Sequence, residues 1–161
     1  MKRTGFTLVE ILIVVVILGI LAAIVIPQFT DAANDARDSS VQSDLQTLRS
    51  AVELYKVQHC ELLPNQTQAA NGTITSDAAV ANFVSRLTGK TDINGTINAA
   101  GAYGPYLQKF PTNPNSSTAT IGATPVFGTT DPGAASATAG WFFNTTTGKT
   151  TACATVAQTA W

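Results

Sequence analysis

The chain is poor in charge, in histidine and in cysteine. Charged residues make up 12% of its 161 residues, the net charge is −1, and there are one histidine and two cysteines. This balance provides no basic surface for a nucleic acid. The cysteines lie far apart in the chain, whereas zinc sites need closely spaced ligands. No phosphate-binding loop, paired-acid site or activated nucleophile is recognisable, so the sequence favours a protein that is not an enzyme.

Apolar residues are concentrated in one N-terminal run. Residues 6–26 contain only two polar side chains, Thr7 and Glu10. As a helix with a rise of about 1.5 Å per residue, this run is about 31 Å long, which matches the hydrocarbon core of a membrane. Two basic residues precede the run. The positive-inside rule therefore predicts that residues 1–5 lie in the cytoplasm and that the chain after the run lies outside.

A single carboxylate, that of Glu10, lies just inside the start of this run. An ionisable group within a membrane span is costly and is by default functional. A simple uncleaved anchor explains the hydrophobicity but not Glu10, for which a carboxylate snorkelling to the interface is the alternative interpretation. An ordinary secretory signal fits poorly, because residues 24–28 offer no small-residue cleavage site.

The sequence Gly5-Phe6-Thr7-Leu8-Val9-Glu10, with a short basic leader before it, resembles the processing site of type IV pilins and type II secretion pseudopilins. The resemblance implies that a prepilin peptidase cuts between Gly5 and Phe6 and methylates the new amine of Phe6. It also implies that Glu10 is needed for assembly. Electrostatic attraction is consistent with this role of Glu10, since the Phe6 amine of one subunit can pair with the Glu10 carboxylate of a neighbour in a low dielectric.

The expected fold is α+β and pilin-like, with one long N-terminal helix packed on a small antiparallel sheet. No proline or glycine occurs between residues 31 and 59, and apolar residues recur there at intervals of three and four (Val41, Leu45, Leu48, Val52 and Tyr55). We therefore predict four segments: a leader (1–5), a transmembrane and filament-core helix (6–27), its amphipathic continuation (28–60) and a globular head (61–161). Gly19 and Pro27 match positions where pilin helices bend.

Within the head, a short helix is predicted over about 77–88, with Ser76 as its cap. A strand is expected at 125–128, and a hairpin is expected from 140–144 and 150–154. The aromatic residues of the hairpin are interpreted as core of the sheet. The segments 64–76 and 91–104 are interpreted as loops. Between them and the sheet, Gly104–Pro114 resembles the segment that leads into the sheet of the major pseudopilin.

The acidic residues, the cysteines and the histidine each carry a further prediction. Major pseudopilins usually hold calcium in their C-terminal loops, but after Asp92 the only acid is Asp131, so neither a cofactor nor a metal is predicted. Cys60 and Cys153 are predicted to form a disulfide outside the cytoplasm, with two buried free thiols as the alternative. His59 is interpreted as a surface cation that suits the C-terminal end of its helix.

The sequence thus predicts a structural filament subunit that is made as a single-pass inner-membrane precursor and polymerises through its helix. Its expected partners are further copies of itself, the prepilin peptidase, the inner-membrane assembly platform and the membrane; no nucleic acid is expected. The Gly104–Pro114 segment favours a type II secretion pseudopilus in the periplasm. The alternatives are a major type IV pilin of a surface pilus for adhesion, motility or DNA uptake, and a minor pilin acting as a membrane-tethered binding module.

Overall fold

The computed structural model describes residues 6–77, 79–115, 125–129 and 140–153. Its elements in chain order are α1 (Leu8–Gln58), β1 (Gln66–Gln68), β2 (Ile74–Ser76), α2 (Val80–Thr88), β3 (Pro125–Gly128), β4 (Trp141–Asn144) and β5 (Thr150–Ala152). A long N-terminal helix is thus followed by a small C-terminal sheet, which confirms the predicted α+β class. The chain divides into two compact units, residues 1–37 and residues 38–161.

The first unit consists of the apolar start of α1. Every described residue from 6 to 37 is exposed, including the whole apolar run. Its most apolar window has a mean hydropathy of 3.3, and α1 is the one helix of the described chain long and apolar enough to cross a membrane. The helix runs through Gly19 and Pro27 without interruption, and a Cβ at Gly19 would meet no atom within 4 Å. Bends at these positions remain a prediction.

The second unit is built on the remainder of α1. The predicted apolar stripe is confirmed, since all five of its residues are at most 2% exposed. The stripe packs into one core with side chains from the second helix and the sheet, chiefly Phe83, Leu87, Trp141 and Phe143. Full burial of each such side chain stabilises the fold by about 1.5–3 kcal/mol.

The C-terminal sheet has the strand order β3-β4-β5. β4 and β5 form the predicted antiparallel hairpin, in which Trp141 pairs with Ala152. β3 lies at the predicted residues but pairs with β4 in parallel, so this sheet is mixed. A parallel pair needs a long connection, which residues 129–140 supply. All side chains of β4 are buried, which confirms their interpretation as core. Ala154, the predicted end of the hairpin, lies outside the described residues.

Two local predictions in the head need correction. Residues 64–76, interpreted as a loop, contain the antiparallel hairpin β1–β2. Its strands are polar and lack the alternation of apolar residues that predicts a strand. β1 also bonds to a residue outside the hairpin, since the Gln68 N–H donates to the Asn94 carbonyl at 2.9 Å. Ser76 belongs to β2 and does not cap α2, which begins at Val80. Asp77 Oδ1 instead accepts a hydrogen bond from the Ala79 N–H at 2.9 Å.

The structure does not show the predicted disulfide, since Cys60 and Cys153 are both free thiols in it, and the pairing stays a prediction. Cys60 is exposed where α1 ends, whereas Cys153 is buried against Phe142. Burial raises the pKa of the Cys153 thiol to about 11, which makes it unreactive at neutral pH.

Candidate functional site

The first turn of α1 is closed by reciprocal hydrogen bonds between Thr7 and Glu10. The Thr7 N–H and the Thr7 hydroxyl both donate to Glu10 Oε2, at 2.8 and 2.6 Å. In return, the Glu10 N–H donates to Thr7 Oγ1 at 3.3 Å. With helix beginning at Leu8, these residues hold the N-cap and N3 positions of a capping box. The Glu10 carboxylate is therefore bonded within its own chain.

This capping box lies immediately after the predicted cleavage point. Gly5 lies outside the described residues, and Phe6, the next residue, is 77% exposed. Because Thr7 and Glu10 both follow that point, cleavage would leave their hydrogen bonds in place. The role of Thr7 was missed in the sequence, although a threonine three residues before a glutamate and ahead of an apolar run is the signal of such a box.

A second cluster forms where α1 ends. Cys60 and Glu61 have positive φ values of 53° and 66°, which stop the helix. His59 is 0% exposed, so its interpretation as a surface cation is wrong. Its Nδ1–H donates to the Tyr55 carbonyl at 2.9 Å, and its Nε2 accepts from the Thr91 hydroxyl at 2.9 Å. Burial lowers the pKa of His59 below 6.5, the usual value for histidine.

The Gly104–Pro114 segment joins the ends of the two helices. The Tyr106 hydroxyl donates to Gln58 Oε1 at 2.7 Å, at the last residue of α1. The N–H groups of Tyr106 and Leu107 both donate to the Leu87 carbonyl at 2.9 Å, in the last turn of α2. Gly104 has a φ of +80°, and a Cβ there would lie 2.5 Å from the Gly89 carbonyl oxygen. Only glycine fits this position without strain.

A buried arginine holds the loops of the head together. Arg86 of α2 is 3% exposed, and its Nε donates to the Gly95 carbonyl at 2.8 Å. Its two terminal nitrogens donate to the Pro64 carbonyl at 2.9 Å and to Asp77 Oδ2 at 3.0 Å. A hydrogen bond from the Ala79 N–H is the largest of the interactions that lower the pKa of Asp77. No sequence signal distinguished this arginine from a surface cation.

Among the residues that the structure describes, no group of three or more His, Cys, Asp or Glu side chains could hold a metal ion. Asp131, the last acid of the chain, lies outside those residues. The chemistry that the described part of the chain offers is therefore hydrogen bonding, apolar contact and one carboxylate in an apolar segment.

Comparison with known proteins points to the same N-terminal segment. The family described as the prokaryotic N-terminal methylation motif matches residues 1–26. The type II secretion system core protein G of Pseudomonas aeruginosa is 43% identical over 56 residues, which are 35% of this chain and 39% of that protein. Its counterpart in Vibrio cholerae is 36% identical over 74 residues, 46% of this chain and 50% of that protein.

A pilus protein has a similar sequence identity to this chain. The type IV narrow pilus major component PilA5 of Thermus thermophilus is 38% identical over 82 residues, 51% of this chain and 61% of that protein. The chain thus spans about half the length of the curated relatives that it matches. No solved structure matches it. The chain carries the prokaryotic N-terminal methylation motif and is a homologue of type II secretion system core protein G and of a type IV pilus component.

Proposed function

We propose that this chain is a structural subunit of a type IV pilus-like filament. It is made as an inner-membrane precursor, cleaved between Gly5 and Phe6, methylated on the new amine and polymerised through α1. The observation that carries this proposal is the start of α1: from Leu8 to Ile26 the helix is exposed and apolar except at Glu10, and it lies within the matched N-terminal methylation motif. Such a surface needs lipid before assembly and other helices after it.

Glu10 gives this helix its register in the proposed filament. A carboxylate in an apolar environment is costly unless it is paired. In the free subunit, the two donors of Thr7 satisfy one of its oxygens. During assembly, the cationic Phe6 amine of an adjacent subunit supplies an opposite charge. Pairing one amine with one carboxylate favours a single axial offset between neighbouring helices.

The type of filament is proposed from the head and the relatives together. Two relatives described above are named type II secretion system core protein G. The Gly104–Pro114 segment, which resembles the major pseudopilin, bonds to the ends of both helices in the head. Both points support a subunit of a secretion pseudopilus. The pilus component from Thermus thermophilus favours the alternative, a surface type IV pilin.

The membrane arrangement and the partners follow from the same proposal. Lys2 and Arg3 keep the leader on the cytoplasmic side, where a prepilin peptidase removes it. The head then lies in the periplasm, and an inner-membrane assembly platform draws the mature subunit from the lipid into the growing filament. A minor subunit that acts as a tethered binding module has no specific observation in its favour.

Replacement of Glu10 tests the assembly role. We expect Glu10→Ala and Glu10→Gln to be cleaved normally, since the cleavage position is untouched, but to be absent from sheared filaments. The measurement is immunoblotting of membrane and sheared fractions from cells that express the full chain. Glu53→Gln is the matched control, because Glu53 is also an α1 carboxylate but lies in the head, where it pairs with Lys56 at 3.2 Å. Normal filaments from Glu10→Ala would overturn the pairing mechanism.

A deletion experiment in the organism that makes this protein distinguishes the secretion role from the surface-pilus role. Deletion of the coding sequence should leave secreted enzymes trapped in the periplasm if the filament is a pseudopilus. Loss of surface pili with normal secretion would instead establish the alternative. Complementation with the full chain should restore whichever property was lost.

A further inference from the structure

The buried imidazole of His59 lies at a junction of three chain segments. Tyr55 and His59 belong to the end of α1, Thr91 follows α2, and Tyr106 belongs to the Gly104–Pro114 segment. The His59 ring stacks on Tyr55 with centroids 3.9 Å apart and planes 6° from parallel. Tyr103 and Tyr106 approach it from other sides, at centroid distances of 5.2 and 6.1 Å. The filament function proposed above makes no use of this group.

The hydrogen bonds identify the form of the ring that fits this site. A backbone carbonyl can only accept, so the proton on Nδ1 must point to Tyr55 O. The Thr91 hydroxyl then donates to Nε2, and the neutral imidazole has both nitrogens satisfied. A second proton on Nε2 would require the Thr91 hydroxyl to turn and accept instead of donate, and it would place a full charge in a site from which water is excluded.

The groups around His59 do little to balance such a charge. Burial raises the pKa of Tyr55 to about 12 and raises the pKa of Tyr106, so both are neutral at physiological pH. The carboxylate of Asp92, which follows Thr91, accepts from Asn98 Nδ2 at 3.0 and 3.3 Å. The cation Arg86 acts on Tyr55 from the side of α2 and adds positive charge to the cluster.

Four interactions favour the charged ring. Backbone hydrogen bonds with Tyr55 and with Asp92 raise the pKa of His59. The face of Tyr55 also attracts a cation stacked on it, and the C-terminal end of α1 attracts positive charge. In the described part of the chain, however, no carboxylate hydrogen-bonds to the ring. The buried ring loses its hydration when the junction forms, and this loss is the largest effect on the pKa of His59, which burial lowers despite these attractions.

We propose that protonation of His59 opens the junction between the end of α1, Thr91 and Tyr106, so that the head of the subunit loosens at mildly acid pH. The device concerns the fold of the head and does not depend on the filament function. The junction would stay closed at neutral pH and would open more readily when the surroundings acidify.

Proton linkage gives the direction in which the stability of the junction changes with pH. The unfolded chain binds a proton on histidine near pH 6.5, whereas the folded chain resists it, so stability falls as the pH drops below 6.5. Between pH 8 and pH 5, the constant for opening the junction should increase by up to about 30-fold, the limit set by one such group. Asp77 lies outside this window, since its usual value is 3.8 and its pKa is lowered further.

The test uses the full chain in detergent micelles. Amide hydrogen exchange of residues 55–59 and 103–107 at pH 8, 7, 6 and 5, corrected for intrinsic rates, gives the opening constant directly. The chain has one histidine, so NMR of histidine labelled with ¹³C follows His59 without assignment. We expect the opening constant to rise while the native imidazole signal stays that of the neutral ring. An opening constant that is independent of pH, or a native signal that titrates near 6.5, would overturn the proposal.

His59→Gln is the informative variant, because its amide can donate to Tyr55 O but cannot take up a proton at these pH values. Its opening constant should no longer depend on pH between 8 and 5. Asp77→Asn is the matched control and should keep the dependence of the natural chain. If the glutamine variant does not fold, the two measurements on the natural chain still decide the question.

Discussion

The hydroxyl of Thr7 donates to Glu10 Oε2 at 2.6 Å, and the N–H of Glu10 donates back to Thr7 Oγ1 at 3.3 Å. This pair begins α1 and at the same time satisfies the one carboxylate of the apolar run. Both donors of Thr7 bond to the one oxygen Oε2. In the proposed filament, the Phe6 amine of a neighbour can therefore bind Oε1 while the bonds from Thr7 stay in place, or it can share Oε2 with Thr7.

Removing the cap should loosen the first turn of α1. Thr7→Val preserves the shape of the side chain but has no hydroxyl, and loss of an N-cap costs about 0.5–2 kcal/mol. We expect faster amide exchange confined to residues 8–11 in micelles, with the head unchanged. Thr7→Ser restores a hydroxyl and should restore protection. Equal exchange in the valine and natural chains would show that the hydroxyl does not hold the turn.

Removing the buried arginine should destabilise the head strongly. Arg86→Met leaves Asp77 without its ion pair and leaves the carbonyls of Pro64 and Gly95 without a donor. Asp77 is partly exposed, so the main loss comes from the carbonyls of the two buried residues, each of which costs about 1–3 kcal/mol when it has no donor. Chemical unfolding of the head, followed by near-ultraviolet circular dichroism, measures this loss.

A surface pair provides the comparison for Arg86. Lys56 lies 3.2 Å from Glu53, which is largely exposed. Exposed pairs of this kind contribute about 0.3–0.5 kcal/mol. Lys56→Met should therefore change the unfolding free energy by no more than that. Similar losses for the two variants would contradict the distinction between a buried and an exposed cation.

Asp77 should make the unfolding free energy of the head depend on pH in a range below the one in which His59 acts. Its pKa is lowered in the folded chain, so its contribution is complete above 3.8 and is lost as the pH falls further, through the folded value. Unfolding free energies measured from pH 5 to pH 2 should decline, and Asp77→Asn should make that decline shallower. An unchanged slope in the asparagine variant would mean that other carboxylates dominate acid unfolding.

The two thiols should differ in reactivity. Cys60 is exposed and Cys153 is buried with a pKa of about 11, so a maleimide reagent should label one site in the native chain and two after denaturation. Mass spectrometry without reduction should find both cysteines free in freshly isolated protein. A mass lower by two hydrogen atoms, with no labelling, would establish the disulfide that the sequence predicts. Cys60→Ser should remove the native labelling and leave stability unchanged.

Much of the fold was predictable because its signals are local and repeated. The spacing of the apolar residues from Val41 to Tyr55 indicates one buried helix face. The β4–β5 hairpin is indicated by an aromatic strand, a glycine-containing turn and a second strand that begins with two threonines. β1 and β2 carried no such signal. Their residues are polar, and only pairing with each other and with Asn94 makes them strands.

The apolar helix, the position of Glu10 within it and the resemblance of its start to a processing site are readable from the amino-acid sequence, since they depend on residues that are neighbours in the chain. The folded structure was needed to show that His59 is buried against three tyrosines, that Arg86 bonds to three separate segments and that Cys60 is exposed while Cys153 is buried. Those outcomes depend on which distant residues exclude water from one another. A residue pattern along the chain indicates which faces of a helix are apolar, but it does not indicate which atoms come into contact when the chain folds.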